Sequence, residues 1–311
     1  MTDMTPDTLT PGTGDPVSLQ PGDICIAATY QVGEVDIRRN SGDCRVLVYD
    51  RAMKLKGALW TGETGLILGL AYCQNSRTLL VSDASSRTLH RFSSAGELLP
   101  PFAAMQGKPF GPIAAASDGS IIIGEHLKGD APPFLGGGEI YCFDGEGAQL
   151  ANHAAERDPG KFGFHGVTNM ALTDSDQTVI YISETGKRVM RYDLARGQQM
   201  PDLFSLTGKS VGDEEEDMVT AGISLLAGGN ILLSHVYGAG VFSPQGEILK
   251  AYDIPNDRGW AAVKASADGS AFFIANFFTG RLEKRDLNSG EIIKAVETGM
   301  IYKLACIAEI S

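Results

Sequence analysis

Short apolar runs separated by small polar turns recur along the whole chain, and their spacing is that of strands. The stretch "VIYISETGKRVMRYDL", residues 179 to 194, reads as two strands joined by a tight turn, with Glu184 where the first strand ends. Comparable segments begin at Gly69 ("GLAYCQNSRTLLVSDASSRTLHRFSSAGELL"), at Pro112 ("PIAAASDGSIIIGEH", resuming at "GEIYCFDGEGAQL") and at Asn169. Two more begin at Gly222 ("GISLLAGGNILLSHVYGAGVFSPQGEIL") and at Ala262 ("AVKASADGSAFFIANFFTGRLEKRDLNSGEII"). Each copy holds an apolar strand, a turn of the SDG, AGG or ADG kind, a second apolar strand, a polar turn, and two further strands. Gly, Asp, Asn and Ser fall where hairpins need positive φ or a side chain that bonds the backbone. The unit is a four-stranded antiparallel meander, the blade of a propeller. No segment sustains an apolar period of 3.6, so few helices are expected.

The two ends of the chain complete the count. Residues 23 to 60 contain "DICIAAT", "CRVLVYD" and "LKGALW", which are the second, third and fourth strands of a blade without its first. "IYKLACIAEI", from Ile301, is a first strand without the rest. Joined, they make a sixth blade and close the ring, so that no sheet edge is left to invite aggregation. The pattern therefore predicts an all-β, six-bladed β-propeller over residues 23–311, with a one-plus-three closure. Residues 1–22, rich in Thr, Pro, Gly and Asp, are expected to be a disordered lead-in.

One position varies while the blade grammar repeats. The slot after each second strand holds Ala28, Asp83, Glu125, Glu184, His235 and Asn276 in blades one to six. Each second strand runs antiparallel to the innermost first strand, so these slots gather on one face of the disc with the loops "FHGVTNM", "DMVTAG" and "DRGW".

Charge narrows the partner. With a net charge of −12 and a pI near 4.9, the chain repels nucleic acid and anionic membrane surfaces. A small-molecule substrate is the expected partner. No apolar stretch approaches the roughly 18 residues of a membrane span, and the first residues lack the basic start and apolar core of a secretory signal. The five cysteines show no CxxC spacing and read as buried thiols of a cytoplasmic protein.

The segment "HGVTNMALTDSDQTVIYISETGKRVMRYDL" resembles the senescence marker protein/gluconolactonase family, and NHL-repeat proteins share the same blade grammar. The likeness extends over most of residues 66 to 296. It implies a six-bladed ring holding a divalent metal, often calcium, over the central channel, and hydrolysis of lactones or related esters. The family's ligands are a Glu near the first blade and Asn and Asp at the starts of later inner strands. Here Thr168 stands in the Asn slot with Asn169 beside it, Ala221 stands in the Asp slot, and no "EGP" segment supplies the Glu.

Two chemistries fit the slot face. Calcium takes six to eight oxygens, which Asp83, Glu125, Asn169 and Asn276 are candidates to supply, with Glu184 nearby. Alternatively, each acid bonds the amides of its own turn. His235 and His165, with Glu184, form a candidate acid/base set, since imidazole suits proton transfer near neutral pH. His126, Phe277 and Trp260 are candidate substrate contacts. "FLGGGEI" leads into a strand and so is no phosphate loop; the connection 126–138 around it reads as a hairpin loop able to cover the ring face. "GDEEEDM", residues 212–218, reads as a solvated loop. No GxSxG or HExxH motif occurs. Three functions stand at this point: lactone or ester hydrolysis by metal- or His-activated water, a metal-free acid/base lyase or isomerase, and an NHL-type binding propeller.

Overall fold

The computed structural model describes residues 4–12, 16–30, 42–127, 137–158, 165–173, 175–209, 218–235, 237–254, 258–300 and 306–311. The strands form six antiparallel sheets in a ring, each built around a four-stranded meander. Blade 1 is closed as the spacing predicts. Its inner strand is Ile307–Glu309, followed outward by Ile24–Tyr30, Gly42–Tyr49 and Leu55–Gly65, with Ile24 opposite Glu309 and Ile26 opposite Ile307. Blades 2 to 6 have inner strands Ile67–Cys73, Phe110–Ala115, Asn169–Leu172, Thr220–Leu225 and Trp260–Ala265. Blade 3 gains a fifth, two-residue strand, where His165 and Gly166 pair with Leu127 and His126.

The apolar runs are continuous because each blade is covered on both faces. In the second strand of blade 4, Val179 and Tyr181 pack with Ile122 and Ile140 of blade 3. Their neighbours Ile180 and Ile182 pack with Ile223 and Leu233 of blade 5. The same alternation around the ring yields six buried clusters, one at each blade junction. The core therefore lies between blades, not at the axis.

Junctions are also stapled by hydroxyls. Ser82 Oγ donates to the Gly111 carbonyl at 2.5 Å, and Thr220 Oγ1 donates to the Ser183 carbonyl at 2.7 Å. Close packing at the first of these needs a glycine: a Cβ on Gly69 would stand 2.2 Å from the Gly111 oxygen.

Part of the lead-in packs against the ring where it is described. Leu19 is buried and its amide bonds the Ser94 carbonyl at 2.8 Å, while the Gly22 amide bonds the Ile310 carbonyl at 2.7 Å. Val17 and Leu9 lean on two of the junction clusters. A few apolar anchors outweigh a polar average. Of the segments singled out in the sequence, residues 128–136 of the covering connection, the acids 213–217, Asp257 and residues 301–305 lie outside the described residues. Among the described residues no helix is long and apolar enough to cross a membrane.

Candidate functional site

The slot residues do share one end of the blades. In register, Asp83 faces Ile67, Glu125 faces Phe110, His235 faces Thr220 and Asn276 faces Trp260, each at the first residue of an inner strand. Their polar atoms, however, are turned to the local backbone. Asp83, fully buried, accepts from the amides of Leu66, Ser85 and Ser86 at 2.8, 3.0 and 3.2 Å, and its second oxygen takes the Cys44 thiol at 3.5 Å. Asn276 accepts from the amides of Phe278 and Thr279 and donates to the Arg258 carbonyl. Glu125 accepts from the Gly137 amide at 2.8 Å and lies beside the Tyr141 hydroxyl. Glu184 is half-buried in the turn that follows the second strand of blade 4.

The calcium set expected from Asp83, Glu125, Asn169 and Asn276 is spread around the ring. These residues belong to four blades, and three of them are spent on backbone amides of their own surroundings. Among the described residues no three His, Cys, Asp or Glu side chains are grouped closely enough to hold a metal ion.

The histidines are buried bases. His126 Nε2 lies 3.0 Å from the Thr168 carbonyl, which can only accept, so this nitrogen carries the proton. Gly111 makes room for the ring, since a Cβ there would meet His126 Cδ2 at 2.4 Å. His235 Nδ1 accepts from the Tyr237 amide at 3.3 Å, which leaves Nε2 as a buried N–H without a partner. Burial pushes both imidazoles down to about 4, against a weak opposing pull from the Thr168 carbonyl on His126. Both are neutral at pH 7 and each is fixed in one tautomer. His165 is half-buried on the extra strand of blade 3. His153 lies on a strand with its ring 5.0 Å from that of Tyr192.

Trp260 is buried at the junction of blades 5 and 6, packed with Leu232 and Ile254, and its Nε1 has no hydrogen-bond partner. Phe277 and Phe278 contact each other edge to face at 5.7 Å, with Phe278 exposed.

The inner strands of all six blades line an axial channel, a cavity of about 440 Å³. Runs of consecutive residues line it, such as Leu68 to Tyr72 and Asn169 to Thr173, because each inner strand turns its unpaired edge, not one face, to the axis. Asn169 reaches this wall; the other slot candidates do not. At the end opposite the slots stands Lys264, whose ammonium has no hydrogen-bond or ion-pair partner among the described residues. Protein surrounds it, yet solvent reaches it, as befits a side chain in the wall of an open channel. Desolvation pulls its pKa down while Glu309 pulls it up, and the first effect wins. The neighbouring acids are tied back: Glu309 accepts from the Ala267 amide at 2.6 Å and Asp176 from the Ser117 amide at 2.8 Å.

Lys264, Glu309 and Asp176 were invisible as a group in the sequence. The signal available was a charge inside an otherwise apolar inner strand, "AAVKASADG", where four of its five sister strands carry none.

No protein-family model matches the chain, and no curated protein matches it. Solved structures do. A chain of a nidogen/laminin complex is similar with a TM-score of 0.61 and 13% identity, over 92% of this chain and 98% of that one. A protein of unknown function from Bacteroides caccae is similar with a TM-score of 0.62 and 11% identity, over 93% and 98%. Virginiamycin B lyase from Staphylococcus aureus is similar with a TM-score of 0.50 and 12% identity, over 75% and 70%. At these identities the likeness establishes the propeller fold and no particular family within it.

Proposed function

We propose that the protein is a small-molecule enzyme whose substrate, an anion or carbonyl compound, occupies the axial channel and is handled there by Lys264 without a protein-held metal. The observation that carries this reading is the uncommitted ammonium of Lys264 in a cavity bounded by all six inner strands. A lysine eased toward its neutral form gives up its proton more readily than a solvated one does. As a cation it pairs with a carboxylate, and as an amine it serves as base. That is the chemistry of a lyase or isomerase, and one of the solved propellers of this fold is named a lyase. The fold also serves binding, as in the nidogen/laminin complex.

Lactone or ester hydrolysis is the second reading, and one observation favours it. The buried Nε2–H of His235 is the kind of fixed donor that stabilises a developing oxyanion. The same tautomer argues against His235 as the base that activates water, because its basic nitrogen is already engaged by Tyr237.

The test is a thermal-shift panel of small carboxylates and lactones on the wild type, Lys264→Met and His235→Asn. Stabilisation by a carboxylate that disappears in Lys264→Met supports the channel reading. Shifts that survive in Lys264→Met and disappear in His235→Asn transfer the site to the slot face. No shift with any compound overturns both.

A further inference from the structure

Arg45 is fully buried and has no acidic partner within ion-pair distance among the described residues. It lies in blade 1, opposite Ala28 on one side and Trp60 on the other. Blade 1 is the blade whose slot is apolar, and the guanidinium occupies the space beside it. Nη1 donates to the main-chain carbonyls of Pro6 and Leu9 at 2.9 and 3.3 Å, Nη2 lies 3.0 Å from Met300 Sδ, and Nε has no partner. The rings of Tyr30 and Trp60, perpendicular to each other, stand 4.9 and 5.4 Å from its central carbon. Burial pulls this arginine down to about 10, against the pull of Asp7 and its phenol neighbours.

Its cover is lightly held. Pro6–Thr8 is a single turn closed on itself by the Thr5 amide to Thr8 Oγ1 and Thr8 Oγ1 to the Thr5 carbonyl, and none of its residues is buried. Two contacts of this segment with the ring are the Pro6 and Leu9 carbonyls on Arg45 Nη1, and Leu9 also packs beside the junction cluster that contains Met300. A buried cation answered only by carbonyls and a thioether is poorly compensated, whereas a carboxylate matches the guanidinium fork in both charge and shape.

We propose that Arg45, Tyr30 and Trp60 form a carboxylate-binding site, occupied in cis by the Pro6–Leu9 turn, whose two carbonyl oxygens hold the Nη1 protons that a carboxylate would engage. The aromatic walls select a planar, unsaturated carboxylate. The site lies at the junction of blades 6 and 1, where Met300 arrives, and is independent of the channel reading.

Benzoate is the probe, titrated into the full-length protein by calorimetry at constant ionic strength, with hydrogen exchange followed over residues 4–12. Saturable binding is expected, with at least tenfold faster exchange in the turn at saturation. In Arg45→Met binding should vanish, and in Arg45→Lys it should weaken about tenfold, since an ammonium lacks the fork. Thr8→Ala loosens the cover and leaves the ring intact, so it should tighten benzoate binding at least threefold, a readout that does not depend on how Arg45→Met folds. Absence of saturable binding, binding undiminished in Arg45→Met, binding without release of the turn, or no gain in Thr8→Ala would each overturn the proposal.

Discussion

Asp176 of blade 4 accepts a hydrogen bond from the amide of Ser117 of blade 3 at 2.8 Å, tying together the hairpins of two blades at the mouth of the channel. Asn75 of blade 2 reaches the other side of the same residue, donating to the Ser117 carbonyl at 3.1 Å. Gln74 and Ala267 make the corresponding links to Ser311 and Glu309. The hairpins on this face thus form a belt in which side chains of one blade satisfy the backbone of the next.

Asp176→Ala should lower stability by about 1–2 kcal/mol, the cost of leaving an amide without its charged acceptor. Asp176 also sits at φ 56°, where Asn is tolerated, so Asp176→Asn should cost less than half as much. Urea midpoints of the two variants check both the size and the order.

Asp83 predicts a larger effect. Removing its carboxylate orphans three amides in the interior, and Asp83→Ala should cost on the order of 3 kcal/mol or more. Gly65→Ala attacks the same cap from the other side, because its Cβ would stand 1.9 Å from Asp83 Oδ2. If either variant melts within two or three degrees of the wild type, the cap carries less than is argued here.

Acid should destabilise the fold earlier than its carboxylates require. His126 and His235 are held down to about 4 in the folded state, against 6.5 when free. The folded protein therefore binds fewer protons than the unfolded chain across that window. Stability is full above pH about 6.5 and is lost as pH falls toward 4, by on the order of 3 kcal/mol per histidine. Replacing both with Gln should flatten the pH dependence of the urea midpoint between 6.5 and 4.5. An unchanged slope would mean that other groups carry it.

The thiols should be inert in the native state. Cys25, Cys44 and Cys306 are pushed well above the usual thiol range by burial, Cys142 is pushed up to about 11, and all five cysteines are free. Native protein should react with less than one equivalent of a thiol reagent such as DTNB over minutes, and with five after denaturation.

The architecture was open to reading from the chain alone, because each blade must bury both faces and announces it with unbroken apolar runs such as "TLLVSD" and "AFFIAN". The closure followed from counting strands at the ends. What a slot residue does was not open in the same way. Asp83 and Asn276 occupy the predicted face, but whether such a group points at a ligand or at its own turn depends on amides within 3 Å, which spacing does not reveal. Lys264 was missed for a related reason. The side chain's access to the axis depends on the radial set of blade 6 against blade 1, a tertiary property. In the lead-in, the buried Leu19 is an anchor that an average composition does not reveal.

The seam in blade 1 has a temporal meaning. Its inner strand, Ile307–Glu309, pairs with Ile24–Ile26, nearly three hundred positions earlier in the chain. During synthesis, Ile24–Tyr30 emerges long before the strand that completes its sheet and carries an open edge until that strand arrives. Ring completion is accordingly a slow, late event of high contact order, and the interval before it is when a chain emerging from the ribosome is most exposed to pairing with the wrong strand.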